Sequence, residues 1–112
     1  MARVRLFVYG SLKRGGRHHD ELAGAVFLGP ATTLPGYRLE PLGEYLALVA
    51  APPELAAAVP GELYELDESK LSALDAFEGD AYARGNVRLA GPLNERDDEK
   101  AGFALAYFRK AR

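Results

Sequence analysis

The sequence predicts an α+β fold built on a strongly curved sheet or small barrel, and three observations carry that expectation. About six short runs rich in β-branched and aromatic residues are punctuated by Gly or Pro. A single segment combines helical apolar spacing with start and stop signals at its ends. Strand and helix patterns do not alternate, so parallel βαβ units are not expected.

Val4 to Tyr9 opens the chain as a strand: Arg3 and Arg5 alternate with Val4 and Leu6, the far end is wholly apolar, and Gly10 stops it. Residues 10 to 19 are rich in Gly and Arg and read as a loop. Asp20 to Leu28 fits a helix or a strand equally well. Thr32 to Leu39, Tyr45 to Ala50 and Gly61 to Leu66 read as short strands, set off by Pro35-Gly36, Gly43 and Pro60-Gly61. Ala50 to Pro60 is an Ala- and Pro-rich loop with room for one helical turn after Pro53. Asp67 to Phe77 is the clear helix, with Asp67 placed to cap it and Gly79 just past its end. Ala83 to Leu89 and Phe103 to Phe108 complete the strands. Gly91-Pro92 and the charged run Asn94 to Lys100 are expected to form an exposed hairpin-like connection between them.

The chain has 112 residues, enough for one domain spanning 1–112, and its 48% hydrophobic content fills one core. Cysteine is absent, which excludes disulfides, thiolate metal sites and a cysteine nucleophile. The net charge of -2, with no basic run beyond Lys13-Arg14 and Arg109-Lys110, argues against a nucleic-acid partner. No stretch approaches 18 apolar residues, and the apolar run before Gly10 is too short for a signal-peptide core. A cytoplasmic protein that binds no membrane is expected.

The helix carries the first chemical signal. At about 100° per residue, Leu71, Leu74 and Glu78 fall on one stripe, which Phe77 widens, while Glu68, Ser72 and Asp75 turn toward solvent. A carboxylate aimed at a core is costly unless it is paired, protonated or functional. Burial also raises its pKa toward neutrality, as a general acid/base requires. The competing reading ends the helix at Phe77 and lets Glu78 swing out beside Gly79.

The second signal is Val8-Tyr9-Gly10-Ser11-Leu12-Lys13-Arg14-Gly15, a strand feeding a glycine turn whose backbone N–H groups can receive an anion. Gly10 and Gly15 have the spacing of a phosphate-binding loop. Gly16 and Arg17 then stand where its Lys and Ser/Thr belong, and Leu12 breaks the dinucleotide-binding pattern. A plain glycine turn remains the alternative. His18 and His19 are adjacent, lack a metal-ligand spacing and read as solvated loop residues. Ser11, Ser69 and Ser72 lack a nucleophile-elbow context.

Tyr9-Gly10-Ser11-Leu12, then Gly61-Glu62-Leu63-Tyr64, then Leu74-Asp75-Ala76-Phe77-Glu78-Gly79 with Tyr82 and Arg84, resemble the gamma-glutamylcyclotransferase-like family over nearly the whole chain. The resemblance implies a small mixed β-barrel of about six strands with flanking helices. It places the catalytic acid/base on Glu78, a substrate-carboxylate loop on Tyr9, Gly10, Ser11 and Leu12, and further substrate contacts on Tyr82 and Arg84. It also implies cyclisation of a small-molecule γ-glutamyl substrate to 5-oxoproline with release of an amine or amino acid. No metal or cofactor is implied, and either a monomer or a homodimer is compatible. Leu46 stands where many relatives carry Pro, and Arg14 to Asp20 is more basic than the family pattern. Both differences are expected to bear on the leaving group rather than on ring closure. A catalytically silent small-ligand-binding domain of the same fold is the alternative, and a protein-interaction module a second.

Overall fold

The computed structural model of the protein describes residues 2–10, 12–90 and 102–110. Its architecture follows from two strands that are buried on both faces. In β1 (Arg3–Val8), Leu6 and Val8 point into one apolar cluster and Phe7 into another, and all three are at most 3% exposed. In β5 (Pro60–Asp67), Tyr64 and Leu66 join the first cluster and Leu63 the second. A strand that alternates between two cores reads as a continuous apolar run, which is why β1 looks uniformly apolar at its far end. The two strands pair antiparallel from Arg3↔Asp67 to Val8↔Glu62.

The remaining strands are β2 (Val26–Thr32), β3 (Tyr37–Leu42), β4 (Tyr45–Ala50), β6 (Tyr82–Arg88) and β7 (Phe103–Arg109). They extend the sheet in the order β2-β5-β1-β7-β4-β3, with β6 also paired to β7. The end strands β2 and β3 do not pair with each other. The result is an open mixed sheet of seven strands rather than a closed barrel. No helix among the described residues is long and apolar enough to cross a membrane.

Several local outcomes differ from the sequence pattern for identifiable reasons. The ambiguous segment splits at Gly24 (φ +89°) into a 3-10 turn, His19–Leu22, and β2. The expected strand from Thr32 to Leu39 is broken at Pro35, which has no N–H to donate, and at Gly36 (φ +147°); β3 therefore begins at Tyr37. The expected single helix begins as a 3-10 turn, Glu68–Lys70, because the Asp67 carboxylate accepts the Ser69 N–H (3.0 Å). The α-helix α1 then runs Leu71–Glu78. The charged connection expected over 91–100 lies outside the described residues.

One topological detail positions the site. β6 occupies one edge of β7 along its whole length, from Tyr82↔Arg109 to Arg88↔Phe103. The other edge is shared: β1 touches it at Leu6↔Leu105 and β4 at Leu48↔Phe108, both parallel. The sheet therefore forks at β7, and the end of β1 parts from the start of β4. The Tyr9 hydroxyl stitches the fork, donating to the Tyr107 carbonyl (2.6 Å) and accepting the Leu48 N–H (3.1 Å). Tyr9→Phe removes both bonds and leaves two strand groups without this partner. The expected loss is roughly 1–3 kcal/mol of unfolding free energy. Urea melts should show it as a lower midpoint at unchanged slope.

Candidate active site

A cleft of about 250 Å³ opens where β1 and β4 part, with α1 across it. Its floor is apolar: Phe7, Val8 and Leu12 are buried, as is Tyr107. Tyr9, Gly10 and Tyr82 supply polar or backbone groups, and Glu78 projects from the last turn of α1. The volume lies below the ~300–1,000 Å³ of pockets that enclose drug-sized ligands, so it suits an amino-acid-sized group.

The helix carries Glu78 to the cleft by the stripe read from the sequence. Leu71 and Leu74 are 5% and 2% exposed and fasten α1 to the core, so the position four residues beyond Leu74 faces the same way. The helix includes Glu78 and stops at Gly79, whose φ of +81° an L side chain rarely adopts; its N–H donates to the Asp75 carbonyl (3.1 Å). The reading in which the helix ends at Phe77 is therefore excluded.

Burial alone pushes the Glu78 carboxyl from the ordinary 4.5 up to about 7. Among the described residues no cation pairs with it. Arg84, the nearest basic residue along the chain, is turned elsewhere. It donates from Nε and Nη2 to the two Asp75 carboxylate oxygens, both at 3.0 Å, and borders a neighbouring depression rather than the cleft. Asp75 also accepts the Tyr107 hydroxyl (2.7 Å), so the side chain that its helix angle turns toward solvent, 41% exposed, is at the same time an anchor. Arg84 and Tyr107 thus compensate the Asp75 charge, and desolvation is left as the cause of the Glu78 shift. The tyrosines respond in kind. Burial raises the Tyr9, Tyr82 and Tyr107 hydroxyls above the ordinary 10, with the negative charge of Glu78 adding to each, so all three stay protonated as donors.

Of the residues singled out in the sequence, Tyr9, Gly10, Leu12, Glu78 and Tyr82 converge on the cleft. Arg84 does not, and Ser11 lies outside the described residues. The turn starting at Gly10 closes with the Lys13 N–H donating to the Gly10 carbonyl (3.0 Å). Four wall residues carried no local signal as site residues: His18, Tyr45, Phe77 and Tyr107. His18 is not simply solvated. Its ring packs edge-on against Phe77 (centroids 5.0 Å apart) and beside Tyr45 (5.9 Å). His19 is held too, through Nδ1 and the Leu12 carbonyl (2.9 Å). Tyr82 reaches across the cleft mouth to donate to the Leu46 carbonyl (3.0 Å).

The chain is similar to known proteins in sequence and in overall fold. The gamma-glutamylaminecyclotransferases of Bos taurus and Rattus norvegicus are 39% identical over 101 residues and 40% over 82, covering 79% and 68% of this chain. The chain in turn spans 60% and 55% of their lengths, little more than half. A crystal structure of an AIG2-like protein from Mus musculus superposes with a TM-score of 0.76 at 27% identity, covering 99% of this chain and 79% of that one. The family model described as "Gamma-glutamyl cyclotransferase, AIG2-like" matches residues 6–111, and the chain belongs to that family.

Proposed function

We propose that the protein cyclises a γ-glutamyl group to 5-oxoproline and releases the attached amine, with Glu78 carrying protons between the two nitrogens. The observation that carries this is a half-buried carboxyl, raised to about 7 with no cation partner among the described residues, at the edge of an amino-acid-sized cleft. A carboxyl titrating there is present in both forms near neutral pH, so it can accept a proton and return it. Family membership supports the same reaction.

In this reading the backbone N–H groups of the loop at Gly10 hold the substrate α-carboxylate, and the glutamyl chain folds so that its α-nitrogen meets its own γ-carbonyl. Glu78 takes a proton from the α-ammonium, and the freed amine attacks. The C–N bond to the departing amine breaks as that nitrogen is protonated. In total two protons leave the α-nitrogen and two reach the departing one, which leaves as an ammonium. The reaction therefore needs no external acid, base or redox partner. The Tyr9 and Tyr82 hydroxyls line the cleft with their protons already donated to the Tyr107 and Leu46 carbonyls, so they shape the site rather than donate to the substrate.

Incubation with a panel of γ-glutamyl amino acids and amines, with 5-oxoproline as the readout, tests the proposal. Product from at least one member is expected; binding without product would favour the silent ligand-binding domain. Gly10→Ala tests the carboxylate loop separately. A Cβ at Gly10 meets nothing within 4 Å and its φ is not left-handed, so folding tolerates it. It would instead intrude on a ligand held against the backbone. KM should rise several-fold while the thermal midpoint stays within a degree or two of the parent. Normal KM would remove Gly10 from the binding site.

A further inference from the structure

Resting on that reading, we infer that Asp75 and Arg84 are positioning residues for Glu78: the pair clamps the last turn of α1 to the wall formed by β6 and β7, and Arg84 acts through Asp75 rather than on the substrate. The helix is only about two turns long, too short to hold its shape without outside contacts. Its buried anchors, Leu71 and Leu74, both lie in its first half. Beyond them Ala76 and Phe77 are exposed, while Asp75 and Glu78 are half-buried. The turn that carries the acid/base therefore has no buried apolar side chain of its own. Asp75 supplies the attachment instead. Its carboxylate accepts two bonds from Arg84 on β6, both at 3.0 Å, and one from Tyr107 on β7 at 2.7 Å. Its carbonyl accepts the Gly79 N–H that closes the helix.

The same attachment sets Glu78 against the substrate loop. Tyr107, bonded to Asp75 through its hydroxyl, accepts the Tyr9 hydroxyl at its carbonyl (2.6 Å), and Tyr9 leads into Gly10. Two hydrogen bonds thus join the turn bearing Glu78 to the strand end bearing the loop. Charge adds a second effect. Residues three apart on a helix are neighbours, so Asp75 and an ionised Glu78 would repel if Asp75 were bare. Arg84 offsets that repulsion. The other titratable groups that line the cleft with Glu78 are Tyr9 after β1, His18 before the 3-10 turn, Tyr45 of β4, Tyr82 of β6 and Tyr107 of β7. Asp80, just past the helix, is exposed and screened by solvent.

The test compares Asp75→Asn, Arg84→Met and the double variant with the parent, assayed for 5-oxoproline across pH and normalised to folded protein by thermal melts. Each single variant should lose about tenfold or more in kcat, with KM within about twofold of the parent, because Glu78 moves while the Gly10 loop stays. The acid limb of kcat/KM, which reports the base of the free enzyme, should move in opposite directions. Asp75→Asn leaves a guanidinium unopposed and should lower it; Arg84→Met leaves a carboxylate beside Glu78 and should raise it, each by about 0.2–0.7 of a pH unit. In the double variant the limb should return toward the parent position while kcat stays as low as in the single variants. Shifts in the same direction, or a lowered thermal midpoint with parent kcat, would make the cluster a structural brace and overturn the clamp. A several-fold rise in KM for Arg84→Met at parent kcat would put Arg84 on the substrate and overturn it as well. Either result leaves the cyclisation intact, whereas a parent protein that forms no 5-oxoproline overturns both.

Discussion

Glu78→Gln should lower kcat and kcat/KM by about 100-fold or more while leaving the protein at least as stable as the parent at pH 7. The first half follows from removing the proton carrier with almost no change in shape. The second follows from the direction of its titration. Burial raises the folded-state pKa from the ordinary 4.5 to about 7, so the folded protein holds this proton where the unfolded chain has lost it. Relative to a neutral side chain, Glu78 costs nothing below about pH 4.5. Its cost grows as pH rises from there to about 7 and is complete above that. The stability difference between Glu78→Gln and parent should therefore widen across this interval in favour of the variant, then level off. A side chain kept at a stability cost for the sake of activity behaves this way. A structural Glu78 would show the reverse, with the variant destabilised near neutrality.

Gly61→Ala should have the largest effect on folding. A Cβ there would stand 2.3 Å from the Val8 carbonyl oxygen and 2.7 and 2.8 Å from ring carbons of Phe7. Neither can step aside: one is strand backbone, and Phe7 is 1% exposed within the second core cluster. Gly→Ala in a strand would otherwise favour folding by about 0.4–1 kcal/mol through the unfolded chain. Here the sign should invert, with a loss at or above the top of the ~1–3 kcal/mol that overpacking usually costs. Since β1 leads directly into Tyr9 and Gly10, the folded fraction should also bind substrate less well. Denaturant midpoints of Gly61→Ala and Gly10→Ala make the comparison, because the second meets no atom and should be nearly neutral.

How far the sequence reveals the site depends on whether its parts are local. Glu78 was legible because helical spacing ties its direction to Leu71 and Leu74, seven and four residues away, and because Gly79 marks the stop. β4 was legible from Tyr45 to Ala50 because Gly43 and the Ala- and Pro-rich loop that follows bound an apolar run. The Asp75–Arg84–Tyr107 cluster was not, since its hydroxyl arrives from a strand 32 residues further on. Arg84 was assigned to the cleft from the motif alone. The structure turns it to the other side of the Tyr82 and Tyr107 walls, where Asp75 offers both carboxylate oxygens. The cleft wall was hidden for the same reason: His18 and Phe77 lie 59 positions apart and meet only in the folded chain. Tyr9 had a motif to mark it but no sign of its second task, the stitching of β4 to β7, which exists only once both strands are in place.

If Glu78 is a desolvated acid/base at the edge of the cleft, its own titration must show it. With glutamate labelled at the side-chain carboxyl carbon, the resonance absent from Glu78→Gln identifies the group, and its chemical shift can be followed from pH 3 to pH 9. A desolvated Glu78 requires a midpoint near 7. A midpoint at or below the ordinary 4.5 would mean a solvated or ion-paired carboxylate, and would contradict the assignment of Glu78 as the proton carrier.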